Sequence, residues 1–223
     1  MSTGLMSLNQ NTDIAVQSEE EAALKALMSS GNYLPRLQFF SNASDAVKSG
    51  RVTMNVYGLS RGKDDVEELG KEIEVVPFAV RSKALDLRGG EVLSYYKFST
   101  PQFQTVLELS KIQDSKCMAG TEFLIWVPSV QEFCTFFAYN VSSKQEAPKI
   151  KALINKAMTM KSKYVPRPKN SFQAIVCIES SVVPEALPSQ EDLDKVIEKF
   201  KNPSDSTASA VTTTEAQATS RAQ

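Results

Sequence analysis

Residues Thr121–Tyr139 read TEFLIWVPSVQEFCTFFAY, and they decide the fold. Two runs rich in β-branched and aromatic residues flank Pro128-Ser-Val-Gln131, whose proline and polar residues suit a turn. A four-residue loop there pairs Val127 with Glu132. Side chains alternate across a strand, so this register separates the hairpin into two faces. Phe123, Ile125, Val127, Cys134, Phe136 and Ala138 fall on one, and Leu124, Trp126, Phe133, Thr135, Phe137 and Tyr139 on the other. Both faces are apolar. One is expected to cover a core, and the other to meet a helix, a partner or stacked bases.

Outward from the hairpin, strand signals recur over Val52–Tyr57, Glu72–Val80, Val92–Phe98 and Ser171–Glu179, with a turn at Arg88-Gly-Gly-Glu91. A short helix is predicted over Ser44–Ser49, stopped by Gly50. A second spans Pro101–Lys111, with Pro101 in its first turn and Phe103, Val106 and Leu107 near one face. Ser143-Lys-Gln-Glu146 matches a capping box ahead of Ile150, Leu153, Ile154, Ala157 and Met158, which repeat at three and four. Terminal helices are predicted over Glu19–Met28 and after Ser189-Gln-Glu-Asp192, where Leu193, Val196, Ile197 and Phe200 make an apolar stripe.

The expected fold class is α+β: a mostly antiparallel curved sheet or OB-like barrel with two internal helices and flanking terminal helices. Residues 1–32 read as a mobile arm with a short helix, and 33–183 as one β-rich domain. A linker and amphipathic helix follow over 184–202. In 204–223, Ser, Thr and Ala fill 14 of 20 positions, so this tail is expected to be disordered.

Absent residues exclude much chemistry. The 223-residue chain has no histidine, which removes Ser-His-Asp and Cys-His catalysis and histidine-based zinc sites. Cys117, Cys134 and Cys177 are scattered, with no CxxC pair, which fits a reducing compartment. Gly58-Leu-Ser-Arg-Gly62-Lys63-Asp64 superficially resembles a phosphate loop, but its glycines are one residue too close and Asp64 stands where Ser or Thr should hold magnesium. Asp64, Asp65, Glu67 and Glu68 lack EF-hand spacing and read as a solvated loop or short helix. No secretory signal or membrane helix is visible, so a cytoplasmic location is expected. No cofactor or metal and no enzymatic activity are expected.

Charge is segregated. Residues 1–32 and 181–223 each carry −3, and with −1 overall the middle carries +5. Within 144–169, eight cations face the single acid Glu146. Lys149 and Lys156, seven apart, are expected on one helix face, and Lys161 and Lys163 on one strand face. Arg167 and Lys169 follow, and Tyr164 lies inside the run. Clustered cations beside aromatics are what a backbone-tracking, base-stacking surface needs. A solvated lysine face on an amphipathic helix is the plainer alternative. Tyr95 and Tyr96 must point to opposite faces of a strand, so only one can be core.

The segments Tyr33-Leu-Pro-Arg-Leu-Gln38, Lys83-Ala-Leu-Asp-Leu87, Gly120-Thr-Glu-Phe123 and Phe133-Cys-Thr-Phe-Phe137, with Glu146-Ala-Pro and Lys161-Ser-Lys163, resemble poorly characterised phage-encoded proteins. Some proteins of this layout are OB-fold single-stranded DNA-binding proteins. The resemblance covers residues 33–180 and implies a non-enzymatic role in phage replication or recombination, in the host cytoplasm. The chain departs from such proteins in its tail, which lacks a strongly acidic end. On this reading Lys149, Lys156, Lys161, Lys163, Arg167 and Lys169 would neutralise phosphates, and Trp126, Phe137, Tyr139 and Tyr164 would stack on bases. The rival expectation is a structural protein that forms a homo-oligomer through its apolar sheet face and terminal helices.

Overall fold

A computed structural model describes residues 34–203, apart from 43, 63–64, 90–91, 113, 167–171 and 182–185. The helix expected over Glu19–Met28, the Ser/Thr/Ala tail, Arg167 and Lys169 lie outside the described residues.

Nine strands form one sheet: β1 (Arg36–Phe40), β2 (Val56–Ser60), β3 (Val66–Gly70), β4 (Glu72–Asp86), β5 (Leu93–Tyr95), β6 (Cys117–Val127), β7 (Glu132–Ala138), β8 (Met158–Val165) and β9 (Phe172–Glu179). Among the described residues four helices punctuate them: α1 (Asp45–Lys48), α2 (Pro101–Leu109), α3 (Val141–Ala152) and α4 (Gln190–Lys201). The strand order is β3-β2-β1-β7-β6-β4-β8-β9, with β5 on β4. Every pair is antiparallel except β1 with β7. The fold is α+β, a strongly curled mixed sheet forming a half-barrel, consistent with an OB-like barrel.

The 15-residue β4 makes the curl. Its first residues, Glu72–Val75, pair with β8, and from Val76 to Asp86 it pairs with β6 on its other edge. The changeover falls at a register shift between Pro77 and Ala79. A proline has no N–H to give the ladder, and a bulge bends and twists the strand that carries it. Pro77 still uses its carbonyl, which accepts from Asn155 N–H at 2.8 Å.

The hairpin register is Val127↔Glu132, as its loop length requires. Phe123, Ile125, Val127, Cys134, Phe136 and Ala138 all enter the main core, where Leu37, Tyr57, Leu59, Val75, Ile150, Met158 and Met160 meet them. A second cluster seats Phe103 and Val106 of α2 against Ala84, Cys117 and Ala119. Thr100 caps α2, its Oγ1 accepting from Phe103 N–H at 3.3 Å, and Pro101 occupies the first turn. Gly120 is required by a close approach: a Cβ there would lie 2.1 Å from Ala138 O, where the end of β7 crosses β6.

Several elements differ from the sequence expectation: β1 and β3 lie outside the expected strands, and Glu67 and Glu68, read as part of a loop or short helix, lie in β3. Val52 is buried without being in a strand; it packs with Phe40, Ala46 and Val56 beneath α1, and β2 begins only at Val56. The strand expected over Val92–Phe98 shortens to Leu93–Tyr95. Helix α3 starts three residues earlier than the capping box implies: Asn140 is the cap, its Oδ1 accepting from Ser143 N–H at 2.9 Å. It ends at Ala152, so Met158, read as the last helical contact, opens β8 instead.

Helix α3 covers the outer edge of β9. Ser142 Oγ accepts from Ile175 N–H at 2.7 Å, and Glu146 accepts from Cys177 N–H at 3.1 Å. One turn apart on the helix, these two side chains replace the missing neighbour strand and protect the edge.

Candidate nucleic-acid interface

Strand β1 touches β7 through only two pairs, Arg36↔Thr135 and Leu37↔Phe136, and then leaves it. The split opens a cavity of about 940 Å³. Its walls include β1, the loop around α1, the end of β4, the end of β7, the start of α3 and the adjoining ends of β8 and β9.

Strand alternation delivers the aromatic content. Phe137 and Tyr139, two apart at the end of β7, stack with centroids 5.3 Å apart and planes 29° from parallel. Tyr139 keeps 44% of its surface exposed, and Tyr164, on the same cavity from β8, keeps 56%. Rings with an open face next to one another are the arrangement on which bases stack.

Among the described residues, the cations of this cavity are Arg36, Arg51 and Lys83. Arg36 is exposed and has no carboxylate partner among the described residues. Arg51 Nε donates to Ser49 Oγ at 2.9 Å. Lys83 is held by the buried carboxylate of Glu122 and lies 5.5 Å from the Phe137 ring centroid. Asp45, the one carboxylate on the cavity wall among the described residues, faces Lys48 at 3.6 Å. The lining thus combines positive charge with open aromatic faces, and Gln38, Asn42 and Gln173 add amide donors and acceptors.

The residues singled out from sequence separate into three groups. Phe137, Tyr139 and Tyr164 come together in the cavity. Trp126 is buried among the hairpin residues: it is 7% exposed, packs edge-on to Phe133 at 4.9 Å and donates its indole N–H to Ala186 O at 2.9 Å, so a stacking role does not fit it. The lysines do not share one surface. Lys149 pairs with Glu146 at 2.9 Å, and Lys156, beyond the end of α3, pairs with Glu179 at 3.0 Å, so the expected common helix face does not form. Lys161 and Lys163 do share a face of β8, but alternation puts it opposite Tyr164, whose side follows the buried Met158 and Met160. Sequence reasoning missed Arg36, Arg51 and Lys83, which lie far apart in the chain without any local charge density.

Other groups with chemical potential are structurally occupied. Burial, then the charge of Glu146, pushes the Cys177 thiol up to about 12, and burial raises Cys134 further. Both stay protonated at neutral pH. Arg61 ties Glu67 at 2.6 Å and Glu132 at 3.0 Å, and Asp65 lies 3.7 Å away, so Asp65 and Glu67 serve the β2–β3 hairpin. Gly58 lies inside β2, where a phosphate loop would need a strand-to-helix turn. Among the described residues no cluster of three Cys, Asp or Glu is arranged to hold a metal ion, and no helix is long and apolar enough to cross a membrane.

No family model, no curated protein and no solved structure matches the chain.

Proposed function

We propose that the half-barrel binds single-stranded nucleic acid, with single-stranded DNA as the reference ligand, in the cleft between β1 and β7. The observation that carries this reading is the convergence of the stacked pair Phe137–Tyr139 and the exposed Tyr164 with Arg36, Arg51 and Lys83 around one open cavity. Bases stack on the rings and phosphates meet the cations; both interactions tolerate any sequence, because every nucleotide has a π-face and a charge. The role is non-enzymatic. A phage-type setting in replication or recombination is the context that the sequence resemblance implies.

Fluorescence anisotropy with a labelled oligothymidylate tests it. Binding is expected at low ionic strength, and its affinity should fall linearly in log–log form as salt rises, as counterions return to the phosphates. No binding at low salt overturns the reading. A salt-insensitive oligomer in sedimentation without oligonucleotide affinity supports the self-association alternative instead.

A further inference from the structure

The sheet face that carries Lys83, Phe137 and Tyr139 continues beyond the cleft along β4. Cross-strand pairing puts Arg81 opposite Glu122 and Lys83 opposite Gly120, while Glu122 faces Phe137 on its other side. Glu122 is 1% exposed and binds both cations, with Arg81 at 2.5 Å. The group therefore holds two positive charges and one negative. Among the described residues no second carboxylate balances it.

The excess charge is covered by the C-terminal segment. The Arg81 guanidinium lies between two rings, 4.0 Å from the Tyr96 centroid and 4.1 Å from Phe200, and donates to the Phe200 carbonyl. That carbonyl is in the last turn of α4, where the helix dipole is negative. Helix α4 is lightly anchored: Phe200 is its one buried residue, Leu193, Val196 and Ile197 are half-buried, and the remaining positions are exposed.

We propose that Arg81, Lys83 and Tyr96 form a phosphate-and-base subsite that extends the cleft, and that α4 is a displaceable cover over it. The inference rests on the cleft reading above and specifies the length and regulation of that site. Lys83 joins the two parts, because it lines the cleft and shares Glu122 with Arg81. A phosphodiester carries a full negative charge, whereas the Phe200 carbonyl supplies only a partial one, and a base can take the place of the Phe200 ring against Arg81. A strand long enough to pass Lys83 therefore displaces the last turn of α4, while a short one fills only the cleft.

Hydrogen exchange on the full chain separates these statements. An oligothymidylate of about four nucleotides should slow exchange around Tyr139 and Tyr164 and leave 190–201 unchanged, whereas one of about twelve should also accelerate exchange across 190–201. Phe200→Ala, which releases the cover, should tighten binding of the longer oligonucleotide about fivefold or more and leave the shorter one unaffected. If the longer oligonucleotide binds while exchange in 190–201 is unchanged or slowed, the cover is refuted and the cleft reading stands. If neither oligonucleotide binds, both fall.

Discussion

The described part of the basic run, residues 144–165, and the β1–β7 cleft are both rich in positive charge, yet they are built in opposite ways. In the run, cations are dense in sequence and dispersed in space. Lys149 and Lys156 are engaged by Glu146 and Glu179, and Lys161 and Lys163 face away from the nearest exposed tyrosine. In the cleft, cations are sparse in sequence and gathered in space: Arg36 comes from β1, Arg51 from the loop after α1, and Lys83 from near the end of β4. Charge density along a chain is therefore a poor guide to a charged surface. Strand pairing, which joins residues about a hundred positions apart in Arg36↔Thr135, sets the surface.

The largest effect should come from removing the carboxylate that holds Lys83 in place. Glu122→Ala strands two nearly buried cations, and chemical denaturation should show a loss of about 3–5 kcal/mol. Next is the aromatic content. Each base–ring stack contributes about 1–3 kcal/mol, so Tyr139→Ala with Tyr164→Ala should weaken oligothymidylate binding at least about thirtyfold in anisotropy. Arg36→Ala should cost less, a few-fold in affinity, and should reduce the slope of log K against log salt by about one. Lys161→Ala with Lys163→Ala should change affinity by less than about twofold, since neither shares a face with Tyr164.

The smallest effect lies outside both regions and is one of pH. Hydrogen bonds from the Arg88 side chain and backbone hold the Asp86 carboxyl at about 2, below its ordinary value. A carboxylate with a lowered folded pKa stabilises the fold above its unfolded pKa, and that contribution disappears as pH falls through about 2. Urea midpoints at pH 5 and pH 2.5 should therefore differ less in Asp86→Asn than in the parent chain.

The parts of the fold legible in sequence are those fixed by neighbours in the chain. The hairpin register followed from its loop and its alternation, and Pro101 and Ser189 marked helix starts that the structure retains. Helix α3 was misplaced because two periods coincide: Ile154 and Met158 stand four apart, as in a helix, while Met158 and Met160 alternate, as in a strand. Asn140 also outcompeted Ser143 as cap by accepting the Ser143 N–H itself. Val52 was read as strand because burial and β-branching are common to strands and to residues packed beneath a helix. The aromatic half of the cleft was legible, since Phe137 and Tyr139 sit two apart at the end of one strand. Its cationic half was not, because a two-pair parallel contact between β1 and β7 leaves no signature in either segment.

The most direct test compares the two regions in one experiment, by anisotropy of a labelled oligothymidylate at low salt with two charge-reversed proteins. Arg36→Glu should weaken binding by about tenfold or more, and Lys161→Glu with Lys163→Glu should change it by less than about threefold. If instead the lysine pair abolishes binding and Arg36→Glu leaves it intact, the ligand tracks the outer face of β8 and the cleft is not the site.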